Sequence, residues 1–94
     1  MELSERWETI SKSMKYFKRF EKVENKRSQR PDLHAFLLLD ELFPGNRDMV
    51  AAAEHDEIYL AIETEQAETL TDDQISELIR CGVRCGEYGL CMFA

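Results

Sequence analysis

Two short groups of residues in this 94-residue chain have side chains that could do chemistry or hold an ion. His55-Asp56-Glu57 gathers an imidazole and two carboxylates, the groups that a metal-assisted or acid–base hydrolase uses. No glycine-rich phosphate loop, nucleophile elbow or paired-histidine metal motif accompanies them. They read as the polar entry to a strand, so the chain is expected not to be an enzyme, and no catalytic residue is assigned. Cys81, Cys85 and Cys91, with His34 or His55 as a fourth ligand, supply the donor types of a zinc site. Their spacing lacks the tight Cys-x2-Cys knuckle that such sites use. The expectation is that the thiols are small apolar fillers, with Cys85 paired across a hairpin from Cys91, and that no metal or cofactor is needed.

Charge offers a second kind of chemistry, recognition. Residues 1–31 carry nine Lys/Arg against five Glu, whereas residues 32–94 carry three Arg against fourteen Asp/Glu, so a net charge of −7 hides a basic first third and an acidic body. On a helix, Lys12, Lys15, Arg19, Lys22 and Lys26 recur at steps of three and four and share one face. Like charges four apart, such as Lys15/Arg19 and Lys22/Lys26, cost about 0.2–0.5 kcal/mol per pair. Either solvation or a negative partner offsets that cost. Glu54, Asp56, Glu57, Glu63, Glu65, Glu68, Asp72, Asp73 and Glu77 fall within 24 residues. They form either a solvated face or a surface fit to enter a positively charged groove. Thr71 to Val83 has the outline of half a helix-turn-helix, but Asp72, Asp73 and Glu77 set it against phosphates.

The elements that position these groups follow from periodicity. Trp7, Ile10, Met14 and Phe17 recur at helical spacing in a stretch without Gly or Pro, which predicts one long amphipathic helix from Ser4 to Arg27. Pro31 suits the first turn of a second helix, Asp32 to Phe43, whose Phe36-Leu37-Leu38-Leu39 run is apolar on nearly all sides. Trp7, Phe17, Phe36 and Leu37 are expected to share one core. Asp48 could cap a short helix through Met49-Val50-Ala51-Ala52-Ala53. Ile58, Leu60 and Ile62 alternate in a strand, Glu57 to Ile62. Thr71 and Gln74 match a capping box that starts a helix, which Gly82 can end in the left-handed conformation. Val83 to Cys85 and Leu90 to Phe93 read as two strands joined by Gly86-Glu87-Tyr88-Gly89. The expected fold is α+β, with a long N-terminal amphipathic helix and further helices packed on a small three-stranded antiparallel sheet, in one domain spanning residues 1–94.

No run approaches the roughly 18 apolar residues of a membrane span, and the first residues lack a signal-peptide pattern. An odd number of cysteines, crowded near the end, suits reduced thiols in a cytosol.

Arg30-Pro31-Asp32-Leu33, Phe36-Leu37-Leu38-Leu39-Asp40, His55-Asp56-Glu57-Ile58-Tyr59-Leu60 and Leu78-Ile79-Arg80-Cys81-Gly82-Val83-Arg84 with Met92-Phe93 resemble segments of short uncharacterised proteins of tailed phages and prophages. The resemblance covers about two-thirds of the chain. Its motifs are structural and carry no active site. It implies a small acidic accessory protein similar in size and character to anti-CRISPR inhibitors, located in the host cytosol. The partner expected from it is a host protein complex, a nucleic-acid-handling defence effector, bound stoichiometrically through charged surface. The alternative is a nucleic-acid-binding or regulatory accessory protein using the basic stripe. A homodimer that lays one copy's basic helix over the other's acidic surface is a further expectation.

Overall fold

The computed structural model describes residues 2–14, 20, 23, 26–46, 48–54, 56–86 and 89–93. The first helix, α1, runs Leu3–Ser13. Leu3 and Trp7, one turn apart, bury against the body, and Glu8 and Lys12 pair on the outer side at 3.0 Å. The N–H of Met14 closes the helix onto the carbonyls of Ile10 and Ser11. The expected continuation to Arg27 is therefore not one helix. Phe20 lies in a 3₁₀ turn, Val23, Lys26 and Arg27 are outside regular structure, and residues 15–19, 21, 22, 24 and 25 lie outside the described residues.

Helix α2 spans Pro31–Leu42 and starts, as its sequence predicts, with proline in the first turn. Ala35, Leu38 and Leu39 are buried. The opposite side is not, since Leu33 and Leu37 are 43% and 40% exposed. Leu37 is thus outside the core, Phe36 packs half-buried against it, Trp7 is inside it, and Phe17 lies outside the described residues.

The stretch expected to form an alanine-rich helix is a strand. β1 (Val50–Glu54) pairs antiparallel with β2 (Glu57–Leu60), and Asp56 adopts φ 65° between them. Pairing between strands overrides the helix propensity of three alanines, which is worth only tenths of a kcal/mol per residue. Two short helices follow, α3 (Thr64–Ala67), which the periodicity does not reveal, and α4 (Asp72–Arg80). Each begins with a complete capping box, Glu63 with Gln66 and Thr71 with Gln74. Gly82, at φ 89°, ends α4 as expected. The Val83 N–H reaches back to Leu78 and the Gly82 N–H to Ile79, both at 3.0 Å, which is a Schellman closure. β3 (Arg84–Gly86) and β4 (Gly89–Phe93) complete the chain.

The architecture is α+β, but the sheet has four strands instead of three, all antiparallel, in the order β1-β2-β4-β3. Alternation puts Leu60, Leu90 and Met92 on the face covered by helices, where they join Leu3, Trp7, Leu38, Leu39, Ile75 and Leu78 in one core. Glu57, Tyr59, Cys91 and Arg84 take the other face.

Candidate interaction surface

The thiols are dispersed by the strand register. Cys85 pairs with Leu90, and Arg84 is the residue opposite Cys91, so Cys85 and Cys91 point to different faces and the expected cross-strand pair does not form. Cys81 sits at the end of α4 in the core. Burial, with the Glu77 carboxylate adding to it, pushes its thiol up to about 12. Burial also raises Cys85 and Cys91, although Arg84 and the Gly86 backbone pull Cys91 partly back. A Cβ on Gly86 would come within 3.1 Å of the Cys91 sulfur, so a larger residue there would press on that side chain. None of the three thiols has the lowered pKa of a nucleophile. Among the described residues no three His, Cys, Asp or Glu side chains are placed to hold a metal ion.

Of the triplet His55-Asp56-Glu57, His55 lies outside the described residues and Asp56 is exposed. Glu57 is engaged. One of its oxygens accepts from the Tyr59 hydroxyl at 3.0 Å and the other meets the Arg84 guanidinium. Donating to that carboxylate raises the Tyr59 hydroxyl above its ordinary value. This Tyr59–Glu57–Arg84 group lies on the sheet face away from the helices and helps to bury Cys91, which shares that face and is 2% exposed.

The nine carboxylates do not form one face. Glu57 is bound to Arg84, Asp72 accepts two hydrogen bonds from Arg6 at 2.8 and 3.2 Å, and Glu77 stands 3.4 Å from the buried His34 imidazole. Arg6 also donates to the Leu70 carbonyl at 2.6 Å, tying α1 to the turn before α4. Glu63 is exposed and belongs to the α3 capping box. The remaining five, Glu54, Asp56, Glu65, Glu68 and Asp73, are exposed and form no ion pair with a described residue. They fall into two sets: Glu54 and Asp56 beside the β1–β2 turn, and Glu65, Glu68 and Asp73 along α3 and the first turn of α4.

No protein-family model, curated protein or solved structure matches the chain.

The basic stripe is only partly described, because Lys15, Arg19 and Lys22 lie outside the described residues. Lys12 pairs with Glu8, and the Lys26 ammonium sits 5.1 Å from the centre of the Phe20 ring. Arg6, Arg84 and His34 are among the structurally engaged residues that periodicity did not single out, as is Arg27, whose guanidinium meets Glu41 at 2.6 Å. The partners of Arg6 are 62 to 66 residues away and that of Arg84 is 27 away, so no local pattern announces them. His34 is fully buried. Its Nδ1 accepts from the Arg27 N–H at 3.1 Å, and its ring meets Phe20 edge-on at 5.7 Å.

Proposed function

We propose that the chain acts without catalysis, as a stoichiometric inhibitor that lays carboxylates into the basic groove of a nucleic-acid-handling protein complex, in the manner of phage-encoded inhibitors of host defence. The observation that carries this reading is the set Glu65, Glu68 and Asp73. All three are exposed, none is ion-paired with a described residue, and Glu65 and Asp73 stand on two short helices each begun by a capping box, with Glu68 at the C-cap of the first. Carboxylates on a capped, ordered backbone keep the negative patch in one place while their side chains stay solvated, which favours fast, electrostatically steered association.

The test pairs wild-type protein with a Glu65→Lys, Glu68→Lys, Asp73→Lys variant. Each is used as bait in nuclease-treated bacterial lysate and then added to the captured complex in a nucleic-acid cleavage assay. The reading expects one protein complex to survive nuclease treatment, inhibition near an equimolar ratio, and loss of both in the variant. Partners that vanish with nuclease would replace it with the nucleic-acid-binding alternative. Equal inhibition by the variant would overturn the assignment of these three residues.

A further inference from the structure

We propose that β1 is a strand-addition site for an extended, positively charged segment of another protein. The site is distinct from the α3–α4 carboxylates and stands or falls independently of them. Three observations carry it.

The first is the backbone. β1 is an outer strand of the sheet, and only β2 pairs with it among the described residues. Glu54 and Glu57 are register partners flanking a two-residue connection, the position that such a hairpin hydrogen-bonds, so by alternation the N–H and C=O of Ala53 are expected to point away from β2. Nothing described accepts or donates there. An added strand would lie about 4.8 Å away and take up those groups.

The second is the side chains. All five residues of β1 are exposed, and three are alanines that leave room on both sheet faces for the longer side chains of a guest strand. Edge strands are commonly blunted by lysine, proline or an inward charge. β1 carries none of these, and the register shift between Val50 and Ala52, an irregularity that can itself blunt an edge, leaves Ala52–Glu54 as the regular stretch open to a guest.

The third is charge. Asp48 precedes the strand, while Glu54 and Asp56 follow its alanines, and all three are exposed without an ion pair to a described residue. Glu54 lies on the face of Ala52, Glu57 and Tyr59, whereas Ala53 lies on the face of Ile58. The complementary guest therefore alternates, with Lys or Arg on the Glu54 face and short apolar residues on the Ile58 face. A second copy of the chain is a poorer occupant. Symmetric pairing about Ala53 would bring two Glu54 and two Asp56 onto one short ladder between molecules of net charge −7.

The probe is an eight-residue peptide of alternating lysine and valine with blocked ends. Its counterpart with glutamate in place of lysine is the control. Amide hydrogen exchange of the full-length protein is read residue by residue. The lysine peptide is expected to slow exchange at Ala53 at least about tenfold, with the control inert. Ala53→Pro removes the outward N–H and should abolish binding, read here as fluorescence anisotropy of the labelled lysine peptide, while leaving the melt nearly unchanged, since proline is tolerated where an edge N–H faces out. Glu54→Lys with Asp56→Asn removes both negative charges, keeps at position 56 a residue that tolerates φ 65°, and should weaken binding about tenfold, the combined effect of two surface ion pairs. Three results would each overturn the proposal: no protection at Ala53 with millimolar lysine peptide, equal protection by the glutamate peptide, or protection that grows with protein concentration alone and so reports a second copy.

Discussion

At the β3 edge of the sheet the Val83 carbonyl accepts a hydrogen bond from the Trp7 indole at 3.3 Å, and α1 lies against the strand. At the β1 edge no described element plays that part, and five exposed residues, three of them alanine, end the sheet. The two edges belong to the same small sheet and face the same problem of spare backbone groups. On one side α1 lies against β3 and its tryptophan also anchors the core, whereas on the other all five residues of β1 are exposed. Covering an edge stabilises the fold because it also buries apolar surface. Leaving one open keeps backbone groups available to a partner.

The largest expected effect tests the covered edge. Trp7→Ala removes a core side chain that is 5% exposed together with the hydrogen bond to Val83. It should cost about 3–5 kcal/mol in denaturant unfolding, a large share of a small domain's stability. Trp7→Phe keeps most of the packing but loses the N–H, so its loss, about 1–2 kcal/mol, isolates the hydrogen bond. If both variants lose under about 1 kcal/mol, the β3 edge is not held by α1 in the way described.

Alkaline unfolding sharpens the same contrast, because the Cys81 thiol at the end of α4 is buried in the core. The Cys81 thiol is raised from 9.0 to about 12. Above pH 9 the unfolded chain releases this proton while the folded chain keeps it. The thiol's contribution is therefore intact below pH 9 and is lost as pH climbs toward about 12, at up to ~1.4 kcal/mol per pH unit. Cys81→Ala should flatten that part of the stability curve. A curve parallel to wild type across this window would show that the thiol is not held neutral by burial.

Arg6→Ala loosens α1 from the α4 end by deleting the bonds to Asp72 and the Leu70 carbonyl. Its expected cost is about 1–2 kcal/mol, mostly from the half-buried carbonyl contact, since Asp72 itself is 75% exposed. The smallest effect belongs to the open edge. Ala53→Lys should change stability by under about 0.5 kcal/mol, because nothing described packs on that side. A loss above 1 kcal/mol would mean that β1 is covered after all.

What could be read from the chain was local, and what could not was decided at a distance. Pro31, the Thr71–Gln74 box and the Gly82 stop each act within a few residues, and each is found where its chemistry places it. The Met49–Ala53 stretch misleads because alanine's helical preference is small beside the ladder that β2 supplies, and β2 cannot be inferred from β1 alone. Charge was legible as composition but not as surface. Arg6 claims Asp72 from across the chain and Arg84 claims Glu57, so two of the nine carboxylates become fold contacts that their own neighbourhood does not foretell. Helical periodicity overran α1, since the repeat of Trp7, Ile10 and Met14 carries no sign that the helix closes at Ser13.

The placement of α1 also bears on how many molecules can join. A sheet open at one edge accepts a single guest strand and is then complete, whereas a sheet open at both edges can pass the vacancy from one copy to the next without end. With α1 lying against β3 and its indole on the Val83 carbonyl, the strand addition proposed at β1 would be a counted event instead of a polymerisation.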